Sequence, residues 1–158
     1  MTPTSMGHLN VSGRSLTDSI IALDIDKPHL DSFTYRVLTT PGFEGTAGDG
    51  NLYALALTGI QDGDDIKLFV TNDRPSVDSE GKLLDQTSVG ANATVEIFTT
   101  GPAATELKHV KTLAHSKIST PNSLAPMPRW GDEGVFITND HGNNKVGLVS
   151  GAPLALHG

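Results

Sequence analysis

Few residues in this 158-residue chain have types and spacings suited to chemistry. The acidic stretch QDGDDIK, 61 to 67, offers the oxygen donors that calcium takes, but lacks the twelve-residue spacing and closing Glu of an EF-hand. It reads as a solvated turn. Of the six histidines, His8, His29, His109, His115 and His157 have no i, i+4 partner and no His-Glu context that would build a zinc site. No Gly-x-Ser-x-Gly elbow is present, so serine hydrolase chemistry is not supported. The triplets Asn10-Val-Ser12 and Asn92-Ala-Thr94 match glycosylation acceptors, a pattern common by chance. What stands out is a duplication. LFVTNDRP at 68 to 75 and VFITNDHG at 135 to 142 each close an apolar run with Thr-Asn-Asp, 67 positions apart.

The elements that would position these endings are short strands separated by turns. Apolar and β-branched runs predict strands at 19–25, 33–39, 52–58, 66–71, 93–100, 106–113 and 133–139. Gly, Pro and Asp dominate the intervening DKPHLD, PGFEGTAGDGN, GIQDGDD, GPAAT and PMPRWGD. Trp130, in the last of these, is expected to pack at a turn. Residues 73 to 93 are too polar for a core strand and too long for a hairpin turn, and read as an inserted surface loop. The expectation is an all-β domain over 16–158 behind an N-terminal tail at 1–15. Self-similarity at a few tens of residues suggests propeller blades or a solenoid, with a β-sandwich of strands that share residues as the alternative.

Composition sets outer limits. The length suits one domain with a real core. Eleven Lys and Arg against 18 Asp and Glu give a net charge of −7, which repels phosphate backbones and argues against a nucleic-acid partner. Cysteine is absent, which excludes disulfides and thiolate metal sites and leaves the compartment open. No stretch has the apolar length of a membrane span, and the first 15 residues lack the basic start and apolar middle of a secretory signal.

The stretch HVKTLAHSKISTPNSLAPMPRWGDEGVFITNDHG, 109 to 142, resembles the middle of the paraoxonase and arylesterase family, with KTLAH, TPNS and FITNDHG as the matching pieces. Upstream, SIIALDID resembles that family's opening blade strand. LFVTNDRPSVDSEGKLLDQTSVGANATVEIF resembles its fungal and bacterial branch. The likeness runs over roughly residues 16 to 148. It implies a β-propeller of four-stranded antiparallel sheets, with calcium in a central tunnel, that hydrolyses lactones, aryl esters or organophosphates. There the cation would polarise the ester oxygen as a Lewis acid. At about 50 residues per blade this chain supplies about three of the family's six blades.

Carried over position by position, the resemblance makes Asn122 a ligand of the catalytic calcium. It puts Ser123 where a second, structural calcium takes an Asp, and Ile60 where a backbone carbonyl contacts that same ion. A neutral hydroxyl is a weaker ligand than a carboxylate, so the second site should be impaired. The family's proton-shuttling histidines are replaced by Thr58 and Asp73. An Asp with a raised pKa could still serve as a base. Asp140 and His141 persist as the catalytic candidates; a structural turn closing a blade strand is their plainer role. The resemblance therefore implies a calcium-dependent ester hydrolase with little turnover as this chain alone. A small ester or lactone would be its substrate, and activity would need a second copy or further blades. A non-catalytic binding scaffold is the alternative.

Overall fold

The computed structural model describes residues 18–25, 34–127 and 134–140. The expected tail at 1–15, Trp130 and His141 lie outside the described residues. Among the described residues eight strands follow in order: β1 Ile20–Asp24, β2 Thr34–Leu38, β3 Ala54–Asp62, β4 Asp65–Pro75, β5 Ala91–Thr100, β6 Lys108–Leu113, β7 Pro121–Met127 and β8 Gly134–Asn139. One helical turn, α1 Gln86–Val89, precedes β5. The strands form three antiparallel sheets: β1-β2, β3-β4-β5-β6 and β7-β8.

The four-stranded sheet is the middle layer because its strands are apolar on both faces. Along β4 and β5 the side chains alternate between the two sides. Phe69, Val95 and Ile97 point one way, joined by Ala56 and Ile60 of β3 and by Leu113 of β6. They meet Leu124, Val135 and Ile137 of the β7-β8 hairpin. Leu68, Val70 and Phe98 point the other way, into a second cluster with Leu38, Phe43, Leu52 and Leu107, against which Ile20 and Ala22 of β1 pack. Each fully buried Phe, Val or Leu here contributes about 1.5–3 kcal/mol of transfer free energy. Phe43 and Phe98 meet edge-on with centroids 5.4 Å apart.

Local chemistry explains the connections. β3 and β4 are joined by two residues, Gly63 and Asp64, inside the pair Asp62↔Asp65. Gly63 has φ 61°, a value that side-chain-bearing residues rarely adopt and that such tight hairpins require. The acidic stretch expected to be a turn is thus mostly strand, with only its Gly-Asp centre turning. Likewise the irregular piece expected over 73–93 is narrower. Asp73 to Pro75 continue β4 and pair with Ala91 to Ala93 of β5, leaving 76–90 as the excursion. Arg74 supports this extension by an ion pair of 2.9 Å with Asp49.

One strand was not foreseen. β7, PNSLAPM, contains two prolines and only two large apolar residues, so neither propensity nor alternation marks it. It pairs with β8, which satisfies its backbone, and its Leu124 is buried in the core.

Candidate functional site

The duplicated Thr-Asn-Asp is a duplicated piece of architecture. In the first hairpin the terminal pair is Ala54↔Asn72, and regular pairing resumes at Leu57↔Val70 after a bulge. In the second the terminal pair is Pro121↔Asn139, and pairing runs through Ser123↔Thr138 to Leu124↔Ile137 after a bulge. Every one of these positions differs from its counterpart by the same 67 residues. A bulge inserts one residue, bends the strand and re-aims its side chains.

Each polar residue of the motif does the same task twice. Thr71 and Thr138 turn their hydroxyls onto the bulge and donate to the carbonyls of Ala56 and Ser123, at 3.5 Å each. The Thr71 oxygen also accepts the Ala56 N–H at 2.8 Å. Asn72 Oδ1 accepts the N–H of Tyr53 at 2.9 Å, while Asn139 Oδ1 accepts those of Ser119 and Thr120 at 3.0 and 3.1 Å. The following residue closes the turn in both cases. Asp73 N–H donates to Tyr53 O at 2.9 Å, and Asp140 N–H to Thr120 O at 3.1 Å. The side chains of Thr and Asn are therefore held by hydrogen bonds, and the two aspartates are the ionisable groups of the motif.

Since β3 and β4 pack against β7, the two strand ends lie close enough for Asp73 and Asp140 to repel one another. Asp73 is half-buried, and its Oδ1 is buried with no hydrogen-bond donor. Burial, and secondarily the Asp140 carboxylate, push the Asp73 carboxyl up from 3.8 to about 6. A carboxyl tuned to that range exchanges protons near neutral pH, or welcomes a cation that neutralises both partners. Beside it a cavity of about 390 Å³ is lined by residues 91–93, 114–116 and Ile118, and Ala93 is the direct cross-strand neighbour of Asp73.

The residues singled out by resemblance divide into those at this end and those away from it. Asn122 is the exposed residue inside the β7 bulge, next to the terminal pair Pro121↔Asn139. Ser123 is exposed and pairs with Thr138. Asp140 is exposed at the end of β8. Ile60 lies elsewhere: it sits six residues along β3 from Ala54, roughly 20 Å at strand rise, half-buried against the core. Thr58, opposite Phe69, is also half-buried and four residues from that end. Among the described residues no group of three or more His, Asp or Glu lies placed to hold a metal. Two carboxylates and one amide fall short of the six to eight oxygens calcium takes. The described residues do not by themselves compose a calcium site.

A second polar centre went unnoticed in the sequence. Glu96, in β5, is fully buried, and its carboxylate is surrounded by donors from three strands. Thr94 Oγ1 donates to Oε1 at 2.6 Å and Asn72 Nδ2 at 3.3 Å, while Thr112 donates to Oε2. His109 Nε2 lies 3.1 Å from Oε2. The His109 ring packs against Phe43 and Phe98 at 5.0 and 5.3 Å, so apolar rings cover one side of the network while His109 and Thr112 reach the surface. The available signal was a charge in the middle of TVEIF, a run otherwise apolar on both faces. The network also occupies Thr94, whose hydroxyl completes the Asn92 acceptor triplet and is buried in the folded protein.

Fold and site together define a class: an all-β protein of face-packed antiparallel sheets with a bulged, aspartate-terminated hairpin occurring twice. Searches against protein-family models, curated proteins and solved structures find no match to the chain.

Proposed function

We propose that this chain is part of a propeller-type, paraoxonase-like hydrolase of lactones and aryl esters, with weak activity of its own. The observation that carries the reading is the repetition of the bulged hairpin, which brings Asp73 and Asp140 together at one end of neighbouring sheets. Radial sheets that end their strands in oxygen donors around an axis would produce this pairing. The middle sheet has the expected four antiparallel strands, and the three sheets pack face to face as neighbouring blades do. Asp73 is then the general base or a cation ligand, Asp140 its partner, and Asn122 a further oxygen donor, with His141 following Asp140 in sequence. Calcium, when bound, would supply charge stabilisation to the developing oxyanion. The chain's own residues half-bury Asp73 and hold the two strand ends through Asn72 and Asn139.

The experiment is a thermal melt of the full chain against calcium, paired with phenyl acetate and γ-lactone hydrolysis. A site of few donors has a Kd in the millimolar range. Ten-fold excess calcium should raise Tm by about 3–5 °C, through about 1.4 kcal/mol of linkage. Asp73→Asn should abolish that rise, and turnover should be near background. No calcium response in the unsubstituted chain would overturn the cation reading. Fast calcium-dependent hydrolysis lost in Asn122→Ala would show instead that the chain, assembled with itself, is a complete enzyme.

A further inference from the structure

The outer side of β1-β2 is an apolar face with nothing upon it among the described residues. Alternation places Ile20, Ala22 and Leu38 inward on the core, and turns Ile21, Leu23, Tyr35 and Val37 outward as the cross-strand pairs Ile21↔Val37 and Leu23↔Tyr35. Ile25 extends the row. These five side chains are between 49% (Ile21) and 74% (Ile25) exposed, and among the described residues no charged side chain interrupts them on that face. Their exposed area is roughly 600 Å², at the top of the range of about 300–600 Å² for the largest apolar patch on a typical monomer, a size that is often functional.

We propose that this face is the interface of a homodimer in which the β1-β2 sheets of two copies pack face to face. Three observations favour a second copy as the occupant. Two such faces together bury about 1,200 Å², the lower bound for a stable interface. Rows of Ile, Leu, Val and Tyr are self-complementary, since two sheets of this character interdigitate at ~10 Å about a two-fold axis. The opposite end of the stack is a poorer mate, because the outer side of β7-β8 sets Phe136 among Ala125, Ser123 and Thr138. A two-fold contact through β1-β2 takes the face on which a further blade would stack, so it is an alternative to ring closure through that face. The proposal does not depend on any catalytic role for Asp73.

Salt gives the interface a signature. Each copy carries a net charge of −7, so the two repel through solvent while the contact itself is uncharged. Screening that repulsion tightens the dimer, whereas an interface built on ion pairs would loosen.

The test is sedimentation equilibrium of the full chain between 1 and 200 µM, at about 20 and 300 mM salt. We expect a monomer of 16.6 kDa in equilibrium with a species of twice that mass, with a Kd of ~10 µM that falls as salt rises. Leu23→Lys and the milder Tyr35→Ser change outward-facing side chains. Each should weaken dimerisation at least ten-fold while leaving circular dichroism unchanged; Tyr35→Ser keeps the test valid if Leu23→Lys does not fold. A chain that stays monomeric at 200 µM would overturn the proposal. So would a dimer that survives both substitutions, or one abolished by Phe136→Lys, which would mark head-to-tail stacking.

Discussion

Replacing Asp73 with Asn isolates the electrostatic strain at the paired strand ends. The side chain keeps its size, and the charge is removed. In the folded protein the Asp73 carboxyl is raised to about 6 from 3.8, so between those values the folded chain holds a proton that the unfolded chain has released. Stability from this group is thus fully present below pH 3.8 and is lost as pH rises through 6. The full shift corresponds to about 3 kcal/mol at 1.36 kcal/mol per pH unit. Asp73 is only half-buried, and solvent screening reduces the effect to about 1–2 kcal/mol. At pH 8 Asp73→Asn should therefore be more stable than the unsubstituted chain by that amount, or about 2–8 °C in Tm. At pH 4 the two should converge. Urea denaturation at half-unit pH intervals, read by tryptophan fluorescence and circular dichroism, measures the difference curve directly. A variant that is less stable at pH 8, or a difference that does not change between pH 4 and 8, would refute the claim that Asp73 is a strained, desolvated carboxylate.

Other substitutions test the parts that support this site. Glu96→Ala leaves Asn72, Thr94, Thr112 and His109 without their shared acceptor, and should destabilise by about 1–3 kcal/mol in chemical denaturation, chiefly through the buried Thr94 and Asn72. Asn139→Ala removes three backbone hydrogen bonds from residues 117–120 and should cost about 1–3 kcal/mol, with amide exchange accelerating first at Ser119 and Thr120. Unchanged exchange there would mean that the second Thr-Asn-Asp does not hold its turn.

Much of the fold was legible because it rests on alternation. Seven of the eight strands carry β-branched or apolar runs bounded by Gly, Pro and Asp, and these mark strands wherever they occur. β7 escaped because Pro121, Asn122, Ser123 and Pro126 have poor strand propensity; tertiary pairing with β8 overrides it. The 67-residue offset, applied to the strand beginning at Ala54, would have found it. The pairing of Asp73 with Asp140 was implicit in that same offset, whereas the desolvation of Asp73 depends on how the sheets pack and leaves no local trace. Glu96 was overlooked for the opposite reason. A lone Glu in a strand usually faces water, and the cover that turns this one inward comes from Phe98 on its own strand together with Phe43 and His109, which lie farther away in sequence.

The Glu96 carboxylate also acts as an alignment key for the middle sheet. It engages β4 through Asn72, its own strand through Thr94, and β6 through Thr112 and His109, while Asn72 reaches on to the residue that leads into β3. If β4 or β6 slipped by a single residue, its side chains would exchange faces, and the buried carboxylate would lose the donors that strand supplies. Misregistered pairings that would satisfy the hydrophobic pattern alone are thereby penalised, and β4, β5 and β6 favour one alignment.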